Sequence, residues 1–132
     1  MTGTTHIKHE RVVTWRWVAW LLVPGIVAHE FTHALVARQA GASGVSMDWE
    51  VPKVRMVWDG VRPVRVVVAQ LAPTLVGLAL GGPALAALIM AGVFEQFGLL
   101  ATLWLIGNWM VYALPTVGDV TGAMTALGAN HG

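Results

Sequence analysis

The chain has 132 residues, enough for one domain, and its formal net charge is +1. Apolar residues make up 56% and charged residues only 11%, against about 25% charged in ordinary soluble domains, which favours a lipid environment. Basic residues form no run, so nucleic-acid binding is not indicated, and the absence of cysteine excludes disulfides, thiolate metal ligands and cysteine nucleophiles. Any metal site must therefore use His, Asp or Glu.

In chain order, a polar tail over 1–14 is followed by apolar segments that we expect to span a membrane, since about 20 helical residues cross a hydrocarbon core of about 30 Å. These segments are 17–37, 66–93 and 97–115, and the chain closes with a C-terminal segment over 119–132. Gly81-Gly82-Pro83 interrupts the long second segment, which predicts a kink or tilt. The predicted fold class is an α-helical integral membrane protein with about three transmembrane helices in one membrane-embedded domain.

Between the first two segments, residues 44–66 have a different pattern, in which apolar Val45, Met47 and Trp49 alternate with polar residues. Period two indicates a strand. Runs over 54–58 and 61–66 flank Asp59-Gly60, a dipeptide suited to a hairpin turn. We therefore predict a β-rich loop, whose free edge would pair with an extended substrate or, alternatively, whose surface would only cap the membrane face.

The distribution of basic residues predicts the orientation. Five lie in or next to the β-rich loop, three precede the first span and none follows Arg65. The five are Arg38, Lys53, Arg55, Arg62 and Arg65. Because cytoplasmic loops are enriched in basic residues, we place this loop and the C-terminus inside, and the N-terminus and the Glu95 turn outside. The chain is thus predicted to be a multi-pass protein of the cell membrane.

The first apolar segment contains His29-Glu30-Phe31-Thr32-His33. On a helix His29 and His33 are four residues apart and project from one face, so both imidazoles can bind one zinc ion. Glu30 can take a proton from water whose pKa the metal lowers to about 7, and this predicts hydrolysis of a peptide carbonyl. The alternative is a chance match, but such groups are costly in lipid unless they are used. His6, His9 and His131 lie in the tails and are left out of the site.

A catalytic zinc ion usually has three protein ligands, so a third must come from elsewhere in the chain. Asp119 follows the third span, on the side where we expect the first span to end with the histidine motif. Glu95 lies on the opposite side. We therefore predict a zinc site of His29, His33 and Asp119 near the cytoplasmic side. The alternative for Asp119 is an N-cap of a short helix.

Two amides in the apolar segments, Gln70 and Asn108, are candidates for substrate-facing groups. Each is polar within a predicted span and offers both a donor and an acceptor. The alternative is a hydrogen bond between packed helices, which requires no function. The sequence leaves both interpretations open.

The chain resembles the site-2 protease family of intramembrane zinc metalloproteases, over roughly residues 17–122. The histidine motif in a first core span, the β-rich loop after it and the Leu-Pro…Asp119 segment carry this resemblance. It implies that His29, His33 and Asp119 hold zinc, that Glu30 is the base, and that membrane-associated proteins are cut in or near the lipid. Membrane lipid would then be a partner, nucleic acid would not, and a homo-oligomer is left open. The alternatives are a non-proteolytic zinc-binding membrane subunit or assembly protein, and a structural bundle without metal.

Overall fold

The computed structural model describes residues 14–50 and 52–128. Its α-helices and its two strands are α1 Thr14–Ala40, β1 Gly44–Asp48, β2 Lys53–Val57, α2 Pro63–Val76, α3 Gly82–Met90, α4 Val93–Phe97, α5 Leu99–Ala113 and α6 Val117–Gly128. A π-helical turn, Gly77–Gly81, joins α2 to α3. By length and composition three helical stretches are apolar enough to cross a membrane, namely Trp17–Ala40, Pro63–Met90 and Val93–Gly128. The predicted set of three apolar helices, with a small sheet between the first two, is confirmed.

The sheet is an antiparallel pair, but its turn is not where the sequence predicted it. Asp48 pairs with Lys53, so the chain reverses between these two residues. The predicted hairpin around Asp59-Gly60 is wrong, because most of the expected strand over 61–66 belongs to α2, which begins at Pro63. Proline suits the first helical turn, where its missing N–H has no helical partner to lose. This helix start takes precedence over the hairpin signal of Asp59-Gly60.

Helices α1 and α5 run parallel, with a constant offset of 83 residues between hydrogen-bonded partners. The side-chain amide of Asn108 accepts a bond from the Gly25 N–H at 2.8 Å and donates to the Leu21 carbonyl at 3.1 Å. In a regular α-helix these two main-chain groups would bond to each other. Asn108 therefore stabilises α1 just after Pro24, where the proline interrupts the hydrogen-bond ladder.

Gly25 allows this close approach of α1 and α5. A Cβ atom at this position would lie 2.5 Å from the Asn108 main-chain oxygen. A side chain larger than hydrogen would thus push the helices apart. Small residues are the usual means by which helices approach each other closely in lipid.

The π-helical turn accounts for the interruption predicted at Gly81-Gly82-Pro83. The Trp109 indole N–H donates to the Gly77 carbonyl at 3.1 Å, and Gly81 has no Cβ where the indole packs. The second span therefore contacts α5 through α2 and the π-helical turn.

The connection between the second and third spans, predicted as a turn at Glu95, contains a short helix, α4. Gly92 and Gly98 flank it with φ of 67° and 79°, in the left-handed region that glycine adopts without strain. Among the described elements, α3 packs against the π-helical turn and α4, and not against α5. Contact of the second span with α5 is thus limited to α2 and the π-helical turn.

The interior consists of small and polar side chains, while large apolar side chains face outward. Buried apolar residues are mostly alanines, namely Ala34, Ala37, Ala69, Ala72, Ala113 and Ala123. By contrast, Met90 is 88% exposed and Leu100 is 83% exposed. In water this arrangement would leave extensive apolar surface unburied, whereas in lipid such surface carries no such cost.

Candidate metal centre

Three buried side chains from α1 and α6 converge on one point. His29 Nε2 lies 3.1 Å from His33 Nε2 and 3.2 Å from Asp119 Oδ2, and His33 Nε2 lies 3.0 Å from Asp119 Oδ1. The three residues are 3%, 2% and 7% exposed. Each offers one ligand atom to a common point, so the group could hold a metal ion.

Main-chain carbonyls orient both imidazoles. His29 Nδ1 lies 2.7 Å from the Tyr112 carbonyl oxygen, and His33 Nδ1 lies 2.8 Å from the Ala69 carbonyl oxygen. Since a carbonyl only accepts, each Nδ1 carries a proton, and Nε2 is the nitrogen that remains to bind a metal and is directed inward. This is the outer-shell arrangement that metal-binding histidines usually have.

Two lone pairs and a carboxylate that face one another within 3.2 Å repel unless a proton or a cation lies between them. A tetrahedral ion with bonds of about 2.0–2.1 Å has ligand atoms about 3.3 Å apart, close to the separations found here. The donor set is two imidazoles and one carboxylate, which zinc commonly takes at catalytic sites. The residues therefore fit a metal ion of this kind.

Asp119 also stabilises the start of α6, but not as its N-cap. Thr116 takes that position, and the two residues form a reciprocal capping box: the Thr116 N–H donates to Asp119 Oδ2 at 2.6 Å, and the Asp119 N–H donates to Thr116 Oγ1 at 3.2 Å. Asp119 can therefore serve both as a metal ligand and as a residue that stabilises the start of α6. The capping box fixes the carboxylate while its Oδ1 points at His33.

The group lies well inside the apolar helices. Helix α1 continues to Ala40, seven residues beyond His33, which corresponds to about 10 Å along the axis. Asp119 lies within the third apolar stretch, just after the non-helical Leu114–Thr116 that separates α5 from α6. Asp119 thus lies after the helix α5 that corresponds to the predicted third span, in the first turn of α6.

Glu30, the expected base, is half-buried and faces the sheet. Its Oε2 accepts a hydrogen bond from the Val54 N–H of β2 at 2.8 Å. Its Oε1 makes no hydrogen bond within the described part of the chain. The carboxylate is therefore held on one side and is free on the other.

Tyr112 is a site residue that the sequence reasoning missed. Besides its carbonyl contact with His29, its hydroxyl lies 3.0 Å from Thr32 Oγ1. Thr32 donates its own proton to the Ala28 carbonyl, so the tyrosine is the donor. It is the only tyrosine of the chain and precedes the Leu-Pro segment, which is the one signal that could have pointed to it.

A cavity of about 620 Å³ lies between β2, α2 and α6 and is lined by Gly118, the residue before Asp119, but not by Asp119 itself. Its lining includes Met56 of β2, Gln70 of α2, and Gly118 and Gly122 of α6. The Gln70 amide packs against Gly122, where a Cβ would lie 2.7 Å from Nε2. Within the described residues this amide has no hydrogen-bond partner, so it can bond to a molecule in the cavity.

Asn108, the other candidate amide, is 8% exposed and makes its bonds within the bundle. Besides its two contacts to α1, it donates to the Trp104 carbonyl at 2.9 Å. These hydrogen bonds fit the alternative interpretation of Asn108, in which its amide joins packed helices and does not face substrate. Asn108 does not line the cavity between β2, α2 and α6, in contrast to Gln70.

The tail histidines His6, His9 and His131 lie outside the described residues. Comparisons with protein-family models, with curated proteins and with solved structures found no match to this chain.

Proposed function

We propose that the chain is an integral membrane zinc endopeptidase that hydrolyses peptide bonds of membrane-associated proteins, with His29, His33 and Asp119 as zinc ligands. The observation that carries the proposal is the convergence of two imidazole nitrogens and a carboxylate inside apolar helices, with Glu30 next to His29 in the sequence. It agrees with the resemblance to site-2 proteases, which remains a resemblance.

When bound, zinc would supply Lewis acidity and lower the pKa of water to about 7. The protein residues would orient the ligands and transfer the proton. The Tyr112 and Ala69 carbonyls hold the two imidazoles in the ligand tautomer, and the capping box holds the Asp119 carboxylate. Glu30 accepts a proton from water at Oε1, the oxygen that no hydrogen bond occupies, and later passes the proton to the leaving amine.

The cavity between β2, α2 and α6 is where a substrate segment would bind. One wall is β2, whose outward main-chain groups at Met56 can pair with an extended peptide. Gln70 would donate its amide to a substrate carbonyl on the opposite wall. The small residues of α6, Gly118 and Gly122, leave room for the backbone of that peptide. The membrane-surface cap remains the alternative role of the sheet.

The basic residues of the loop favour a cytoplasmic position for the sheet and for the end of α1. The metal group then lies about 10 Å below that surface. Polar residues of the cavity, including Gln70, Thr121 and Thr125, would admit water to this depth. Substrate would approach from the lipid or from the cytoplasmic face.

The test uses purified protein in proteoliposomes with a panel of tagged single-span membrane proteins. Bound metal is measured by elemental analysis and cleavage by mass spectrometry. We expect about one zinc ion per chain and cleavage that stops on chelation. Glu30→Gln should keep zinc but lose about 10²- to 10⁴-fold in rate, the usual contribution of a general base. Absence of zinc from unchelated protein would refute both the protease and its zinc-binding rival.

The rival function is a zinc-binding membrane subunit that does not cleave protein. It is favoured by the bond between Glu30 and Val54, which a purely structural carboxylate would also make. Under this hypothesis Glu30→Gln, whose amide oxygen still accepts the bond, retains zinc and full cellular function. Cleavage by the wild type that Glu30→Gln abolishes would decide against it.

A further inference from the structure

The outer edge of β2 provides a main-chain contact to the proposed base. In an antiparallel pair the main-chain groups of successive residues point alternately toward and away from the partner strand. Val54 directs its N–H at Glu30 Oε2, at 2.8 Å, so this group points away from β1. The main-chain groups of Lys53 and Arg55 then point toward β1, and Met56 is the next residue whose main-chain groups point away from it.

A backbone N–H is a well-fixed donor. Pairing with Met47 of β1 sets the register of Val54, and its side chain is 8% exposed and packed inside the molecule. The bond to a carboxylate is charge-assisted and directional. A glutamate side chain has three rotatable bonds, and anchoring Oε2 leaves Oε1 with a defined direction.

We infer that the Val54 N–H positions Glu30 for proton transfer, so that one strand fixes both the base and the substrate. The inference rests on the proposed endopeptidase function. Val54 holds the carboxylate, and two residues further along the same edge Met56 lines the cavity where the substrate would pair. Val54 is thus a positioning residue that acts through Glu30.

Val54→Pro tests the inference because proline removes the N–H at an outward-facing edge position, where a strand tolerates it. Lys53 precedes it in extended conformation, which proline requires. We expect kcat to fall by about 10- to 100-fold, the usual effect of losing an outer-shell contact, with KM and zinc content little changed. Met56→Pro, the same change two residues along, should raise KM instead.

Val54→Ala keeps the N–H and is the conservative comparison, for which we expect at least ten times the kcat of Val54→Pro. Equal kcat for these two variants would overturn the inference. If the wild type binds zinc and cleaves no protein of the panel, the proposed function fails instead, and this outcome is distinct.

Hydrogen exchange in micelles tests the bond itself without relying on activity or on a proline variant. The Val54 amide should exchange slowly in the wild type and at least tenfold faster in Glu30→Ala, while the Val57 amide, which faces β1, stays unchanged. Unchanged exchange at Val54 in Glu30→Ala would overturn the inference, whatever the kinetic result.

Discussion

Replacing Asp119 by asparagine separates its two tasks, because the amide oxygen can still accept the Thr116 N–H while the charge is lost. The capping box of α6 therefore stays largely intact. A neutral amide is a much weaker ligand for zinc than a carboxylate. We expect Asp119→Asn to fold, to keep α6, and to lose most of its zinc affinity.

The magnitude follows from the ligand set. Zinc bound by four protein ligands contributes about 10–16 kcal/mol to the free energy of folding, which is about 2.5–4 kcal/mol per ligand. Loss of one charged ligand should thus weaken zinc binding by roughly 10²- to 10³-fold. At a zinc concentration 1,000 times the wild-type Kd, the metal stabilises the wild type by about 4 kcal/mol, but the variant by only about 0.4–1.4 kcal/mol.

The assay is chelator competition for zinc affinity together with thermal unfolding in detergent micelles, with and without zinc. Thr116→Val is the matched control: it removes the hydroxyl of the capping box and leaves the carboxylate, so it should lose about 0.5–2 kcal/mol of stability and retain zinc. Wild-type zinc affinity in Asp119→Asn would show that the carboxylate only caps α6, and would refute the ligand assignment.

Three further predictions concern the helix packing that supports the site, each measured by thermal unfolding. Gly25→Ala should lower the free energy of unfolding by about 1–3 kcal/mol, because its Cβ meets the Asn108 carbonyl oxygen. Gly82→Ala, where a Cβ has nothing within 4 Å, should be neutral or slightly stabilising. Equal effects of the two substitutions would contradict the packing argument. Asn108→Leu leaves the Gly25 N–H unpaired and should lower the free energy of unfolding by about 1–3 kcal/mol, while zinc affinity stays within about tenfold of the wild type. A complete loss of zinc binding would give Asn108 a role in the site. Tyr112→Phe removes the hydrogen bond to Thr32 but keeps the main-chain carbonyl that accepts from His29. It should lower the free energy of unfolding by about 0.5–1.5 kcal/mol and change zinc affinity little. A large loss of zinc affinity would mean that the hydroxyl itself contributes to metal binding.

The sequence was sufficient for the histidine pair, because spacing on a helix is local. His29 and His33 are four residues apart on one continuous helix, and no tertiary contact is needed to place them on one face. Asp119 could be reached by elimination, since the chain has few acidic residues. The three apolar helices followed from hydropathy for the same local reason.

The other parts of the site depend on contacts that no local pattern contains. The carbonyls of Tyr112 and Ala69 orient the imidazoles, but main-chain carbonyls carry no sequence signature. The hairpin was misplaced because Asp59-Gly60 is a strong turn signal, while the actual reversal after Asp48 has no such dipeptide. Val54 bonds to Glu30 only once the register of the sheet is fixed.

The irregular points of the three apolar stretches share one feature, which links folding to the site. Asn108 bridges the main-chain groups next to Pro24, Trp109 donates to the carbonyl that opens the π-helical turn, and Asp119 accepts the N–H at the break before α6. In lipid each such group would be costly without a partner. All three partners lie between residues 108 and 119, and the last of them is the proposed metal ligand. The stretch that supplies these partners therefore also carries the carboxylate to the histidines, so the metal group forms where the first and third apolar stretches pack, while Ala69 of the second orients His33.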